Sequence, residues 1–300
     1  MLLKEFVLSS REQLSSLYPA EEANAITGIL CTEFLGVQSY TYMVNPAYVL
    51  KDKDVARAQA ALGRLLESEP LQYVLGHAGF YGQDYRVTPA VLIPRPETEE
   101  VCRVAIQRAL MLCRERSAYG QNAKAVRILD LCTGSGCIAW TMAVNVPGSR
   151  VVAVDISADA LEVASTQKID LPKDRKPQFV QADVLDAASL DAALAGQEPF
   201  DIIISNPPYV LDSEKALMRR NVLDYEPHLA LFVPDDDAMK FNLRLAAAAG
   251  QYLCEGGTGY IEINENLGPQ VAAVLEQSGL KNVEIISDLY KKQRFVTFAR

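Results

Sequence analysis

The chain has 300 residues, 49% hydrophobic and 22% charged, a composition that excludes a disordered or fibrous protein and leaves room for one large or two modest packed domains. Its formal net charge is -9 and no stretch gathers Lys or Arg, which argues against a surface that tracks phosphates, so no direct nucleic-acid partner is expected. No apolar run has membrane length, and MLLKEFVLSSREQ at the start places Glu5 inside a short apolar run without the basic region and cleavage site of a secretion signal.

A cytoplasmic protein is therefore expected. Six cysteines (Cys31, Cys102, Cys113, Cys132, Cys137, Cys254) are scattered without a CxxC pair, and only two histidines exist, so neither a disulfide framework nor a metal site is expected.

Residues 1 to about 75 read as a small helical module. Leu14 and Leu17, then Ala23, Ile26, Ile29, Leu30 and Phe34, then Val55, Ala58, Leu62 and Leu65 recur at helical spacing, and Glu69-Pro70 marks its end. AGFYGQDYRVTPAVLIP (residues 78–94) mixes aromatic and β-branched residues with Gly and Pro, as a hairpin would, so residues 76–98 are expected to be a β-hairpin linker.

From about residue 126 short apolar runs alternate with helical stretches: VRILDL, RVVAVD, PQFVQAD, FDIIIS, TGYIEI, VEIIS and RFVTFA. Such runs are strands buried on both faces of a mainly parallel sheet. The last two are separated by too few residues for a crossover helix and are expected to form an antiparallel hairpin. The expected fold class is α/β: a Rossmann-like class I methyltransferase sheet over residues 99–300, mostly parallel with an antiparallel C-terminal hairpin, preceded by the small helical domain.

The first strand leads into Asp130-Leu131-Cys132-Thr133-Gly134-Ser135-Gly136 before the apolar helix at Cys137. Glycines at a strand-to-helix turn let backbone approach a ligand closely. Asp155 closes the second strand, where a carboxylate can accept from both ribose hydroxyls of an adenosine, with Ile156 beside it. Asp183 closes the third run, and it or Val184 can meet the adenine edge. The fourth strand delivers Asn206-Pro207-Pro208-Tyr209 to the same sheet edge. A planar nitrogen whose lone pair is delocalised needs its N–H bonds held and polarised before it attacks a sulfonium methyl. The Asn206 side-chain oxygen and the Pro207 carbonyl supply two acceptors, the prolines stiffen the loop, and Tyr209 can stack on the target. S-adenosylmethionine is therefore the expected cofactor, with S-adenosylhomocysteine as product.

EPLQYVLGHAGFYG (69–82), LIPRPETEE (92–100), DLCTGSGCIA (130–139), DISADALEVA (155–164), SNPPYV (205–210) and EPHLALF (226–232) together resemble the peptide chain release factor N5-glutamine methyltransferases, the PrmC or HemK family, over nearly the whole chain. The resemblance implies methylation of the glutamine in the Gly-Gly-Gln loop of class I release factors, a protein partner, a monomer, and a substrate-recognition role for the helical domain. It assigns Cys132, Thr133, Gly134, Ser135, Gly136, Asp155, Ile156, Asp183, Val184 and Asn206 to the cofactor, and Asn206, Pro207, Pro208 and Tyr209 to catalysis. Cys132 stands where the family commonly has glycine, a substitution that is tolerable unless the position needs a positive φ. Arg95, Glu97 and Glu226 lie in family motifs without an assigned role. The alternative, a DNA adenine or ribosomal RNA guanine methyltransferase, shares the reaction centre but lacks support from the charge. A non-catalytic adenosine-binding protein of the same fold is at odds with an intact Asn206-Pro207-Pro208-Tyr209.

Overall fold

The computed structural model describes residues 1–118, 124–288 and 291–300. It divides into two compact units, Met1–His77 with Arg219–Tyr225, and Ala78–Met218 with Glu226–Arg300.

The first unit contains α1 (Leu3–Leu14), α2 (Ala20–Leu30), which runs on as a π turn (Cys31–Leu35), α3 (Thr41–Val44), α4 (Asp52–Leu66) and α5 (Leu71–Leu75). The apolar stripes read from the sequence converge. Leu14, Ala23, Ile26, Leu30, Leu62, Leu65 and Val74 form one buried cluster, and Leu3, Phe6, Val7, Cys31, Val55 and Ala58 form another. Leu17 does not join them. It lies beyond the end of α1 and is 48% exposed. Arg219–Tyr225 belongs to this unit although it is distant in sequence: the Tyr225 hydroxyl donates to the Glu67 carbonyl at 2.8 Å, and Arg219 stands 3.8 Å from Glu22.

The chain continues through a two-stranded hairpin, β1 (His77–Phe80) and β2 (Gln83–Arg86). Tyr81 and Gly82 at its turn both have positive φ, 48° and 74°, the pairing of a tight hairpin turn matched to strand twist. α6 (Pro96–Ser117) follows, with proline in its first turn and Glu97 and Glu99 near the positive end of its dipole.

A seven-stranded sheet forms the centre of the second unit. Its strands are β3 (Arg127–Leu131), β4 (Arg150–Asp155), β5 (Gln178–Gln181), β6 (Phe200–Ser205), β9 (Leu253–Glu262), β10 (Lys281–Ser287) and β11 (Gln293–Ala299), in the spatial order β10-β11-β9-β6-β3-β4-β5. The pairings β9–β6, β6–β3, β3–β4 and β4–β5 are parallel; β10 and β11 form the antiparallel hairpin that their short spacing predicts, and β11 also runs antiparallel to β9. Of the connection between the last two strands, Leu289 and Tyr290 lie outside the described residues. Between the sheet strands in the sequence come α7 (Cys137–Asn145), α8 (Ala158–Ser165), α9 (Ala187–Ala193), a short parallel pair β7 (Val210–Leu211) and β8 (Phe232–Val233), α11 (Lys240–Tyr252) and α12 (Gly268–Gln277), together with α10 (Arg220–Leu223), which belongs to the first unit. The pair β7–β8 has no counterpart in the sequence reading, because two-residue strands leave no periodicity to detect.

Alternation along each strand separates two cores. Ile128, Val151, Ala153, Ile202 and Ile204 pack with α6 and α7, while Leu129, Leu131, Val152, Val154 and Ile203 pack with α9, α11 and α12. Among the described residues, no helix is long and apolar enough to cross a membrane. The parallel register brings Leu131, Val154 and Ser205 level and sets Ser205 beside Ile261. The residues after all four strands therefore emerge along one sheet edge.

Trp140, the largest buried side chain, fills the space between α7 and α8, and its indole N–H donates to the Ala164 carbonyl at 2.8 Å. Replacing it with alanine removes the ring and leaves that carbonyl unpaired. Trp140→Ala is expected to lower unfolding free energy by about 3 to 5 kcal/mol, measured by denaturant titration.

Candidate active site

A cavity of about 350 Å³ opens at the sheet edge, within the range for a nucleoside-sized ligand. Cys132, Thr133, Gly134, Ser135, Asp155, Ile156, Asp183, Val184, Asn206 and Pro208 line it.

The loop after β3 is held by backbone and carboxylate bonds. Thr133 N–H donates to the Val154 carbonyl at 3.0 Å, while Asp155 accepts from Gly134 N–H at 2.8 Å and from Ser157 N–H at 2.9 Å. Asp155 thus ties the glycine loop to the end of β4, a task beyond the ribose contact read from the sequence. Its two oxygens, with two lone pairs each, keep acceptor capacity for a ligand. Burial pushes its carboxyl above the ordinary range, against the opposing pull of these N–H bonds. Gln167 ties the loop from beneath: its amide N–H donates to the carbonyls of Ser135 and Arg86 at 3.0 Å each, and its oxygen accepts from Arg86 N–H at 2.8 Å. Asp130 is the last-but-one residue of β3 and not part of the loop. It is fully buried, accepts from the Thr133 hydroxyl at 2.6 Å, and is pushed up to about 7 by burial.

Two loop residues differ from the sequence expectation. Gly136 does not line the cavity. It caps α7 from the position before Cys137 with φ 79°, and a Cβ there would stand 3.0 Å from Ala164 Cβ and 3.2 Å from the Trp140 ring, so its glycine serves packing and backbone conformation. Cys132 does take the left-handed conformation, with φ 62°, so its substitution for glycine carries backbone strain. Asp183 lies two residues past the end of β5, in a turn where its carboxylate accepts from Leu185 N–H at 2.8 Å, and it still reaches the cavity wall.

Asn206, Pro207, Pro208 and Tyr209 follow β6 directly. Asn206 and Pro208 face the large cavity, whereas Pro207 and Tyr209 line an adjoining recess of about 40 Å³ that shares Leu92, Arg95, Asn206 and Ala230 with it. The Asn206 side-chain N–H donates to the Thr98 hydroxyl at 3.3 Å. The Tyr209 hydroxyl donates to Glu262 at 3.0 Å, and Thr98 donates to the other oxygen of Glu262 at 2.6 Å. Burial raises both the Tyr209 phenol and the Glu262 carboxyl above their ordinary values. The loop's exit is fixed separately, by Asn264 donating to the Tyr209 carbonyl at 3.3 Å and to Glu214 at 2.8 Å.

Several lining residues were not predicted as site residues. Arg95 borders both the cavity and the recess and pairs with Glu226 at 2.6 Å; the Glu226 side chain is 1% exposed and also accepts from Ile93 N–H at 3.1 Å. A carboxylate this buried, gripping both a guanidinium and a backbone N–H, holds the chain before α6 against the cavity rather than forming a surface ion pair. Arg95, Thr98, Leu229 and Ala230 lie inside the motifs LIPRPETEE and EPHLALF, which marked them only by resemblance. Pro94 falls in the first of these motifs as well, whereas Val91 and Phe241 lie outside them. Among the described residues, no group of three or more His, Cys, Asp or Glu could hold a metal ion.

Residues 8–76 match the PrmC N-terminal domain and residues 118–226 the methyltransferase small domain. The release factor glutamine methyltransferase of Bacteroides thetaiotaomicron is 37% identical over 290 residues, covering 97% of each chain. That of Flavobacterium psychrophilum is 34% identical over 296 residues, covering 99% of this chain and 98% of its own. Among solved structures, the hMettl16 catalytic domain superposes with a TM-score of 0.52 at 14% identity, over 83% of this chain and 82% of its own, a likeness of fold.

Asp155→Ala removes the loop's anchor and its free acceptor sites. S-adenosylmethionine affinity by calorimetry is expected to fall by about 1 to 3 kcal/mol, the scale for hydrogen bonds to a charged group. Protonation of the wild-type carboxyl removes its charge and turns one acceptor oxygen into a donor, so affinity should also decline as pH falls through that raised pKa; unchanged affinity on both counts would remove Asp155 from the site. Cys132→Gly is expected to change unfolding free energy by less than about 1 kcal/mol, because relief of a left-handed residue is offset by the added freedom of the unfolded chain and by loss of a side chain packed against the core, read from thermal melts.

Proposed function

The chain belongs to the release factor glutamine methyltransferase family, and from that premise we propose how it carries out its reaction, methyl transfer from S-adenosylmethionine to the side-chain amide nitrogen (N5) of the glutamine in the Gly-Gly-Gln loop of class I release factors. The observation that carries the reading is that Asp155 and Asn206, on strands either side of β3, wall one cavity. Its groups fit the cofactor: acceptors at Asp155 and Asp183 for an adenosine, loop N–H groups, and apolar walls from Val91, Leu92, Leu229 and Phe241. When bound, S-adenosylmethionine supplies an electrophilic methyl on a sulfonium. Cys132, Thr133, Gly134, Ser135, Ile156 and Val184 complete the proposed cofactor contacts, and Gly136 supports them from beneath.

The rest of the chemistry belongs to the chain. A glutamine amide is a poor nucleophile because its lone pair is shared with the carbonyl. Asn206 has its own amide N–H engaged by Thr98, which leaves its oxygen as the acceptor for one substrate N–H, and the Pro207 carbonyl takes the other. Pro207 and Pro208 are buried and hold those acceptors rigid, so positioning and preorganised dipoles, not a strong base, lower the barrier. Tyr209, pinned at its hydroxyl, offers a fixed ring face to the planar amide. The helical unit is proposed to supply part of the release-factor docking surface.

Asn206→Ala is expected to slow single-turnover transfer to a purified release factor by about a hundred- to a thousandfold, or ~3 to 4 kcal/mol, while cofactor affinity changes little. Asn206→Asp, which keeps an acceptor but adds a charge beside the sulfonium, should retain partial activity. Labelled cofactor is supplied with release factor, tRNA and duplex DNA in parallel, and the methylated atom is mapped. Label on nucleic acid instead of glutamine would overturn the substrate, and near-wild-type transfer by Asn206→Ala would overturn the mechanism.

A further inference from the structure

Resting on the reading of Asn206 as the substrate acceptor, we infer that Glu262 is a positioning residue: through Thr98 it dictates which end of the Asn206 amide faces the substrate, and through the Tyr209 hydroxyl it fixes that ring. Neither Glu262 nor Thr98 is among the residues marked as functional by the motif after β6.

Glu262 ends β9 and is 3% exposed, and Thr98 sits in the first turn of α6 at 2%. Both hydroxyls are directed at Glu262, one at each oxygen, so it serves as the acceptor of two hydrogen bonds, the role of the ionised form on which the inference is built. Thr98, 2.6 Å from Glu262 Oε2, must therefore spend its single hydroxyl proton on that oxygen. With its proton committed, Thr98 Oγ1 has only lone pairs left, so it must accept from its other neighbour, Asn206 Nδ2 at 3.3 Å. That turns the NH₂ end of Asn206 inward and reserves Oδ1 for the cavity. An inverted amide would present N–H groups to the substrate's own N–H groups and could not polarise them. The direction of two successive hydrogen bonds, and with it the end of Asn206 left for a substrate, is thus set by the charge at one end.

Burying a carboxylate is costly, and a packing role alone would be met by an apolar side chain. Glu262 also lacks the usual compensation: its hydrogen-bond partners are two hydroxyls, and the neighbouring cation, Arg294, is engaged by Asp288 at 2.8 Å and flanked by Glu97 and Glu265 at 3.8 Å. Tyr209 has an independent backbone anchor in Asn264, so the bond from its hydroxyl to Glu262 is not needed to close the loop.

The test uses the full chain with Thr98→Val, Thr98→Ser, Glu262→Gln and Asn206→Ala, measuring single-turnover transfer to a purified release factor at saturating S-adenosylmethionine, cofactor affinity by calorimetry, and thermal melting. Thr98→Val preserves shape but deletes the relay; Glu262→Gln introduces a donor that lets the relay reverse. Both are expected to slow transfer by about a hundredfold, the lower end for losing one preorganised group, with cofactor Kd within about twofold of wild type. Thr98→Ser, which keeps the hydroxyl, should recover transfer to within about fivefold of wild type, a rescue that a purely structural methyl contact would not give. Should Glu262→Gln fail to fold, the Thr98 pair decides alone, because it leaves the carboxylate in place. Near-wild-type transfer by Thr98→Val beside an inactive Asn206→Ala overturns this inference only, as does a Thr98→Ser as slow as Thr98→Val. Near-wild-type transfer by Asn206→Ala instead overturns the underlying reading.

Discussion

The reversal of strand order between β3 and β6, neighbours in the interior of the sheet, is the constraint from which the site follows. From β3 the chain steps to β4 and β5 on one side, and from β6 to β9 on the other. Parallel crossovers are right-handed, so movement in opposite directions puts the connecting helices on opposite faces, and α7 and α11 do lie in different cores. Where the two directions part, between the carboxyl ends of β3 and β6, no helix covers the sheet edge and a crevice remains. Cys132 and Asn206 are the residues that immediately follow those two strands, and the parallel register brings the ends of β4 and β9 level with them.

Much of this was legible because it is written in local pattern. Buried parallel strands need uninterrupted apolar runs, and FDIIIS or RVVAVD admit few other readings; a polar group at the end of such a run has little to do but face the crevice. What escaped the sequence depends on tertiary geometry. Gly136 and Gly134 look alike in a string and both have positive φ, yet a Cβ at Gly136 would press on Ala164 and the Trp140 ring while one at Gly134 would meet only open space. The left-handed backbone of Cys132 is imposed by the turn between β3 and α7, and no feature of cysteine announces it. Phe241 reaches the cavity from α11, whose own periodicity records only its buried face. The β7–β8 pair and the placement of Arg219–Tyr225 are likewise products of long-range docking.

The site's polar groups are arranged in two tiers with different economies. Those at the crevice surface, such as Asp155, keep lone pairs in reserve after satisfying backbone N–H groups. Those behind it, Glu262 and Glu226, are almost wholly buried and have each oxygen occupied by an internal donor. Fully satisfied buried networks of this kind rigidify what they touch, whereas partial satisfaction would leave desolvated charge. Rigidity is what a reaction governed by alignment requires. Both buried carboxylates also join segments remote in sequence: Glu226 reaches back to Ile93 and Arg95, and Glu262 to Thr98.

The inclusion of Arg219–Tyr225 in the first unit bears on the order in which a nascent chain acquires its structure. The apolar clusters of that unit draw only on residues before 77, so its core can close as soon as α5 has been synthesised. The hydroxyl of Tyr225 and the guanidinium of Arg219 arrive much later. Between residue 77 and residue 219, 141 residues intervene, roughly 7 to 28 s of synthesis at ordinary translation rates. During that interval the carbonyl of Glu67 and the carboxylate of Glu22 are left to water. The helical unit is thus a discontinuous domain, finished in two instalments, and a gene cut after residue 77 would separate its core from its final ties.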